Sequence, residues 1–330
     1  MTIRVPDPVI RPDHVDMLLR AAGLTPSLHN SQPWQFAVGS SHVEVYADAS
    51  RQLRNSDPTG RSLLISCGAA VFNLRVAFAH LGLRPRPRLL PDEANPTLVA
   101  TIEVDKGQQG ADLGRFYEAL LARRTNRRPF HDRRLPPSVS ANVSDAARTE
   151  GAALSVFDDP EEVARIVDLL NDADIVERAQ PSRIGERARW VGEERREVEA
   201  GIPSASLGPR PTQVRTAFRD LSLAHIPRDH AAFETAPTLA VLSTTSDKPV
   251  DWVRAGQALE RVLLEATAAG ISASFINQPV EQDDLRWQVR NPLTGIGHAH
   301  MILRLGYGPP VPATPRRPVQ EVRRQPRLSR

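Results

Sequence analysis

Four arginines crowd into the eight-residue stretch RRTNRRPF (123–130). Guanidinium groups this dense repel one another unless an anion lies among them or all of them face solvent. Arg123 or Arg124, together with Arg127, could make charge-assisted hydrogen bonds to a phosphate dianion. The hydroxyl of Thr125 could donate one more hydrogen bond. The residues alone leave two interpretations open, a phosphate site and a solvated basic run.

A second stretch, TPSLHNSQPWQF (25–36), carries polar groups between a predicted helix and two aromatic residues. The amphipathic pattern VDMLLRAAG predicts a helix over 15–23, which Gly23 can end. Trp34 and Phe36 would anchor the far side of the loop in the core. Such a loop can present amide and hydroxyl groups to a heteroaromatic ligand, although it could also be a plain helix-to-strand connection. The polar side chains on offer are Ser27, His29, Asn30, Ser31 and Gln32.

An internal repeat indicates how these stretches are positioned. GAAVFNLRVAFAHLGL (68–83) and GQALERVLLEATAAGI (256–271) both open on glycine, follow a helical apolar pattern and reach a second glycine fourteen residues later. A strand-like run precedes and another follows each predicted helix. The alternative is that two amphipathic helices look alike by chance. The four strand-like runs are 42–48, 98–104, 238–244 and 300–308.

Composition excludes several classes of protein. With 330 residues, 40% hydrophobic and 25% charged, the chain is typical of a globular protein rather than a disordered one. Its net charge is only +3 and 5% of its residues are aromatic, which does not favour a nucleic-acid binder. The single cysteine, Cys67, excludes a disulfide framework. No signal peptide or membrane span is expected, so we expect a cytoplasmic location.

The loop 25–36 resembles a known signature. PSLHNSQPWQF (26–36) is similar to the Pro-Ser-x-x-Asn-x-Gln-Pro-Trp motif of the FMN-dependent nitroreductase family. In that family two subunits share FMN at their interface, and this loop reaches the flavin. The resemblance therefore implies that Ser27, His29 and Asn30 contact the flavin. Leu28 stands where many relatives carry a small polar residue, which puts one ring contact in doubt.

The basic stretch resembles the family's Arg-x-Ser-x-Arg phosphate motif, with Thr125 in place of serine. The resemblance implies that the flavin phosphate is bound by Arg123, Arg124, Thr125 and Arg127. SASFINQPVE (272–281) is similar to the loop whose backbone approaches flavin N5, which implies contacts from Asn277, Gln278 and Pro279. The closing GYGPPVPATPRRP (306–318) resembles a turn followed by basic residues that touch the phosphate, which implies Arg316 and Arg317; a frayed basic tail is the alternative.

The architecture is most similar to the single-chain actinobacterial nitroreductase-like proteins of the Acg type, in which one polypeptide imitates the usual homodimer. The resemblance implies an α+β fold with antiparallel-dominated sheets, a helical core and two nitroreductase-like halves, 1–108 and 112–315. An insertion at about 165–235 would form a lid, and 316–330 an extended tail. Since each half lacks one of the two flavin motifs, we expect one FMN per chain and a monomer acting as an intramolecular dimer.

The function implied is hydride transfer from NAD(P)H to flavin N5 and then to a nitro compound, quinone or similar small-molecule acceptor. No side chain is an evident catalytic acid or base. The alternative is a flavoprotein that stores FMN or senses redox state, with the 165–235 segment closed over the flavin; a mobile lid is equally arguable. A binder of nucleic acid or another anionic partner is a third hypothesis. His298 and His300 could face a metal, but no acidic or cysteine ligand is evident and we expect none.

Overall fold

The computed structural model describes residues 9–107, 111–221, 226–289 and 297–325. Helices and strands both occur in each half of the chain, joined by short 3-10 turns. The helices are α1 Val15–Gly23, α2 Arg61–His80, α3 Tyr117–Ala122, α4 Pro137–Thr149, α5 Pro160–Arg178, α6 Pro181–Ala188, α7 Pro249–Ala268, α8 Asp283–Arg286 and α9 Val319–Val322. The strands are β1 Trp34–Val38, β2 His42–Ala47, β3 Leu83–Leu89, β4 Leu98–Lys106, β5 Ala153–Phe157, β6 Arg210–Pro211, β7 His230–Ala231, β8 Thr238–Thr244, β9 Ser272–Phe275, β10 His298–Gly306 and β11 Arg323–Arg324.

Two sheets flank a helical centre. The first has the order β11-β1-β2-β4-β3 and the second the order β5-β8-β10-β9. All neighbouring pairs in both are antiparallel except β1 with β11, which run parallel. A parallel pair, β6 with β7, lies within the predicted insertion at about 165–235, which we call the inserted segment. The α+β class with antiparallel-dominated sheets is therefore confirmed.

The centre of the molecule is the crossing of α2 and α7. Both helices are buried on almost every side, which is why their apolar residues do not follow a single stripe. A Cβ on Gly68 would lie 2.2 Å from the carbonyl oxygen of Val253, and a Cβ on Gly256 would lie 2.0 Å from that of Ile65. Only glycine lets the two backbones approach this closely. The two opening glycines of the predicted repeat thus lie where α2 and α7 approach each other most closely.

Most predicted elements lie where the patterns place them. Helix α1 and strand β8 have the predicted bounds, and the other three predicted strands are present within two residues. Helices α2 and α7 each begin seven residues before their repeat glycines, because SLLISC and VDWVRA continue the apolar pattern upstream. Residues 1–8, where no signal peptide is expected, lie outside the described residues. Residues 108–110, at the predicted boundary between the two halves, also lie outside them. The division into two repeats stays a prediction.

The expectation that no segment could span a membrane needs correction. Helix α2 is long and apolar enough by length and composition, with a mean hydropathy of 1.6 in its most apolar window. That window is 83% buried inside the protein, against α7 and the first sheet. Its apolar character is explained by its position in the core.

The C-terminal segment is integrated into the first half rather than frayed. Strand β11 pairs with β1, with Phe36 opposite Arg323 and Ala37 opposite Arg324. Val319 and Val322 are buried in the first core. The guanidinium of Arg324 also lies 4.0 Å from the ring centroid of Tyr46. Within its described part, the tail predicted at 316–330 therefore completes a sheet edge that would otherwise be open.

Candidate functional site

The loop after α1 is held in an unusual backbone conformation. His29, Asn30 and Gln32 all have positive φ values, of 49°, 57° and 53°. Residues other than glycine rarely adopt this left-handed region, and such positions persist only where surrounding contacts impose them. The contacts come from distant segments: Asn30 Nδ2 donates to the carbonyls of Gly201 (2.8 Å) and Pro315 (3.0 Å). The loop is thereby fixed between the inserted segment and the C-terminal segment.

A small cationic pocket lies on one side of this loop. It has about 310 Å³ of space not filled by protein atoms, part of which is open to solvent, and it is lined by Arg123, Arg124, Thr125 and Arg316. The carbonyl of Leu24 accepts hydrogen bonds from Arg123 (3.0 Å) and from Arg316 (3.1 Å), so one backbone oxygen orients two guanidinium groups. The predicted phosphate residues from two distant parts of the sequence thus meet in one place.

Positive charge exceeds negative charge around the cationic pocket. Within the described residues, Arg124 and Arg316 have no carboxylate within 4 Å, and Arg123 has only Glu260, whose Oε1 lies 3.8 Å from its Nε. Burial, reinforced by the charges of Arg123 and Arg124, lowers the pKa of Arg316 to about 9. Clustered cations this poorly balanced favour the binding of an anion.

A larger cavity, which we call the ring cavity, is lined by residues of the loop after α1, of α2 and of α7. It has about 670 Å³ of space not filled by protein atoms, part of which is open to solvent. Its walls come from residues 26–29, the start of α2, the middle of α7, the segment after β9, and β10. Leu24 and Thr125 line the cationic pocket. Pro26 and Arg127, each two residues further along the chain, line the ring cavity. Neighbouring residues of two chain segments therefore line the two spaces.

Two arginines in the ring-cavity wall lack carboxylate partners among the described residues. Arg61 donates to the carbonyl of Val280, and Arg127 donates to that of Ser206 at 3.1 Å. Burial lowers the pKa of each to about 10, helped by the charge of Arg286 at Arg61 and of Arg219 at Arg127. Both remain protonated near neutral pH, so the cavity carries a positive field.

Two buried histidines face the ring cavity in the neutral form. Burial and the charges of Arg219, Arg187 and Arg127 lower the pKa of His29 well below its usual value. Its Nε2 is buried without a hydrogen-bond partner within the described structure, a polar atom that a bound ligand could satisfy.

The second of these histidines, His300, is held in a hydrogen-bond chain. Its Nδ1 lies 3.2 Å from Arg286, a donor only, and its Nε2 lies 2.6 Å from the Thr244 hydroxyl. The Thr244 hydroxyl donates to the carbonyl of Ser246 at 2.6 Å. We assign the Nε2–H tautomer from this network. Burial, then Arg286 and Arg61, lower its pKa to about 3.

The inserted segment roofs the ring cavity. Ile202, Arg219 and Leu221 line it, and Arg219 donates to both carboxylate oxygens of Glu281 at 2.5 and 2.7 Å. Burial alone would lower the pKa of Arg219, but Glu281 and Glu177 raise it overall. A buried bidentate pair of this kind fastens the roof to the turn after β9.

The predicted site residues fall into three groups. Arg123, Arg124, Thr125 and Arg316 line the cationic pocket, whereas Ser27, His29, Arg127 and Asn277 line the ring cavity. Asn30, Gln278, Pro279 and Arg317 line neither. Arg127 was predicted to bind the phosphate together with Arg123 and Arg124, but it lines the ring cavity instead.

Several side chains expected to touch a ligand instead hold the protein together. Asn30 is bonded to Gly201 and Arg316, and Gln278 Nε2 donates to Asp174 on α5 at 3.0 Å. The backbone N–H of Arg317 donates to Gln32 Oε1 at 2.8 Å. Their contacts join the loop, the inserted segment and the C-terminal segment.

Sequence reasoning missed Arg61, Arg219, Glu260 and Glu281. The position of Arg61 just after the Asp-Pro-Thr-Gly turn could have signalled a helix start. Asp57 caps that start by accepting from the N–H groups of Ser62 (3.0 Å) and Leu63 (2.9 Å). Nothing local marks Glu260, which occupies an ordinary position in a helical pattern.

The metal hypothesis finds no support in the described part of the chain. His300 is buried, whereas the side chain of His298 is 49% exposed, and the register of β10 shifts between Ala299 and Met301. No group of three or more potential ligands occurs among the described residues.

Comparison with curated proteins gives relatives across almost the whole chain. The Mycobacterium tuberculosis (strain H37Rv) protein "Putative NAD(P)H nitroreductase acg" is 30% identical over an alignment of 337 positions, covering 96% of this chain and 97% of that protein. A second "Putative NAD(P)H nitroreductase" of the same strain is 30% identical over 316 positions, covering 93% and 90%. No protein-family model matches the chain.

Among solved structures, a nitroreductase with bound FMN from Bacteroides fragilis is 16% identical, with a TM-score of 0.36 over 59% of this chain and 88% of that one. A nitroreductase-like protein of Anabaena variabilis is 10% identical, with a TM-score of 0.47 over 91% of this chain and 74% of that one. Similarity at this level adds nothing to what the curated relatives provide.

Proposed function

This chain belongs to the nitroreductase-like oxidoreductase family of its Mycobacterium tuberculosis relatives, and from that premise we propose that it is an FMN-dependent NAD(P)H oxidoreductase. One FMN would bind per chain, with its phosphate in the cationic pocket and its ring system in the ring cavity. The acceptor would be a nitro compound, quinone or similar small molecule. Bound flavin would supply the hydride and electron transfer.

The observation that carries the proposal is that neighbouring residues of the same two chain segments line a cationic pocket and a larger cavity. A phosphate site alone would fit many ligands, and an apolar cavity alone would fit many others. Here Arg123, Arg124 and Arg316 line the first space, and Pro26 and Arg127, each two residues beyond a residue of the cationic pocket, line the second. The orphaned Nε2 of His29 in the ring-cavity wall also fits a heteroaromatic ligand with polar edges.

The chain's own residues would bind the phosphate of FMN, orient its ring system and shield it from water. Arg124 and Arg316, with the Thr125 hydroxyl, would bind the phosphate oxygens. Neutral His29 can donate or accept one hydrogen bond at the ring edge without adding charge. Arg61 and Arg127 would provide the positive field that favours negative charge inside the cavity. The inserted segment, through Ile202 and Leu221, would exclude water.

Absorbance of the purified protein tests the proposal. We expect a flavin band near one equivalent per chain, which bleaches within seconds when NADH or NADPH is added without oxygen. The proposal fails if the protein is colourless and FMN neither binds nor restores a band. A monomer of 36.3 kDa is expected in solution, since one chain would supply both walls of the site.

A second candidate function is favoured by the attachment of the inserted segment over part of the ring cavity. Arg127, Gln278 and Glu281 all bond to this segment. If the cover does not open, nicotinamide cannot reach the ring, and the protein would store FMN or sense redox state. In that case dithionite would bleach the flavin band, whereas neither nicotinamide would.

A further inference from the structure

Glu260 occupies an energetically costly position behind the cationic pocket. It projects from the middle of α7 and is 0% exposed. Neither of its carboxylate oxygens has a hydrogen-bond partner of good geometry among the described residues, although the side chains of Asn73 and Thr25 lie near enough to lower its pKa. Among the described residues its ion-pair partner is Arg123, whose Nε lies 3.8 Å from Oε1 of Glu260. A carboxylate buried with so little compensation costs stability, so packing alone does not account for it.

The residue at the corresponding repeat position is apolar. Glu260 lies four residues after Gly256, and Phe72 lies four residues after Gly68. Phe72 is buried against Phe116, with ring centroids 6.4 Å apart. A helix in this environment can therefore place a hydrophobic side chain here, and the carboxylate occurs only on the side that carries the cationic pocket.

The positive charges of the cationic pocket suggest a role for the carboxylate of Glu260. The pocket is lined by three guanidinium groups, those of Arg123, Arg124 and Arg316. In the empty pocket, ionised Glu260 offsets one of these three charges, and an incoming phosphomonoester brings up to two more negative charges near neutral pH. A monoanionic phosphodiester brings one and would repel the carboxylate less.

We propose that Glu260 is a positioning and specificity-determining residue of the phosphate site, which orients Arg123 from behind and couples the binding of a phosphomonoester to the charge on its own carboxylate. The inference rests on the proposed function, because it takes the cationic pocket to be the site of the FMN phosphate. It adds a residue that touches neither space and acts through Arg123.

The sign of the coupling follows from the groups that face Glu260. The charged ones are Arg123, from the segment after α3, and Arg316, from the C-terminal segment; Thr25 and Asn73 are the polar ones. Burial raises the pKa of Glu260 to about 7, against the opposing effect of Arg123. A phosphate dianion would neutralise the arginines and repel the carboxylate, which raises this pKa further. Binding therefore takes up a proton, and affinity falls as the pH rises above about 7.

The test is a fluorescence titration of flavin-depleted, full-length protein with FMN and with riboflavin at several pH values. For a pKa that rises by about one unit on binding, the Kd for FMN should increase about sixfold between pH 6.5 and 8.5. The Kd for riboflavin, which has no phosphate, should change less than about twofold. In the Glu260→Gln variant the Kd for FMN should depend on pH as little as the Kd for riboflavin does. Loss of a merely structural residue would instead change the Kd for FMN by the same factor at every pH.

Glu150→Gln is the matched control, because Glu150 is also a buried carboxylate beside α7, paired with Arg75 and Arg261 away from both spaces. It should keep the wild-type pH dependence. Should Glu260→Gln fail to fold, calorimetry of the wild type at pH 7.5 in two buffers of different ionisation enthalpy must show proton uptake with FMN and none with riboflavin. A pH-independent FMN affinity in the wild type would overturn the inference while leaving the proposed function intact; no FMN binding at all would overturn the proposed function.

Discussion

Gly68 and Gly256 face each other at the crossing of α2 and α7, where a Cβ on Gly256 would lie 2.9 Å from the Cα of Gly68. The same Cβ would lie 2.0 Å from the carbonyl oxygen of Ile65, so an added methyl group must push two backbones apart. Residues of both helices line the ring cavity, so its shape depends on the spacing of these helices. Their contact is therefore a sensitive point of both the fold and the site.

We predict that Gly256→Ala lowers the free energy of unfolding by roughly 3 kcal/mol, the upper part of the range for overpacked cores. Chemical denaturation measures the change. Gly185→Ala, in α6, is the control, since a Cβ there meets nothing within 4 Å and the better helix propensity of alanine should leave stability unchanged or slightly raised. Equal effects of the two substitutions would contradict the backbone contact at the crossing.

The basic stretch allows a comparison of near neighbours. Arg124 lines the cationic pocket, whereas the side chain of Arg128 is exposed and lines neither space. Losing one charge-assisted contact to phosphate costs about 1.5–3 kcal/mol, so Arg124→Gln should raise the Kd for FMN roughly 10- to 100-fold. Riboflavin affinity should be unchanged, and Arg128→Gln should bind FMN as the wild type does. If both variants lose affinity alike, only the overall charge of the stretch matters.

Stability should fall in mild acid because His300 is buried in the neutral form. An unfolded histidine takes up a proton below about pH 6.5, but the folded protein does so only near pH 3. Between these values folding must release a proton, so stability is fully present above pH 6.5 and is lost as the pH falls toward 3. At pH 5 the loss due to His300 is about 2 kcal/mol.

His300→Gln should therefore show a weaker decline in the free energy of unfolding between pH 7 and 5. His298→Gln, two residues away in β10 and half exposed, should decline as the wild type does. Denaturant titrations at three pH values suffice. A His300→Gln variant with the wild-type slope would assign the acid sensitivity to other groups.

The bond between Arg219 and Glu281 should contribute most of the attachment of the roof. Both side chains are buried, and removal of one partner of a buried pair costs about 3–5 kcal/mol because the other is left uncompensated. Arg219→Ala should lower stability by that amount and speed proteolysis within 189–215. Arg215→Ala removes an exposed ion pair with Asp168 from the same segment and should change stability by less than about 1 kcal/mol. Unchanged proteolysis in Arg219→Ala would show that other contacts hold the roof.

The sequence predicts elements better than it predicts which neighbours they meet. Apolar periodicity indicated α1, α2 and α7, and short β-rich runs indicated β2, β4, β8 and β10, because these patterns reflect burial on one or both faces. The polar loop and the arginine stretch were identified as candidate site segments on residue type alone.

What sequence reasoning could not supply was the direction of each side chain. A run of arginines does not reveal that the chain passes between two spaces, with Arg124 facing one and Arg127 the other. Asn30 and Gln278 matched a ligand-binding pattern, yet the partners that engage them, Gly201 and Asp174, lie in the inserted segment far along the chain. Glu260 was missed because its surroundings are assembled from three separate segments.

The pairing of β11 with β1 also bears on the order in which the molecule is made. The hydrogen bond from Arg316 to the carbonyl of Leu24 joins residues 292 apart in the chain, and the two strands are separated by a similar span. During synthesis the β1 edge therefore stays open to other chains until residues 323–324 have left the ribosome. The cationic pocket is likewise incomplete until residue 316 has been made, because Arg316 lines it. Polypeptides interrupted before that residue would lack both the paired β1 edge and one of the three guanidinium groups of the pocket.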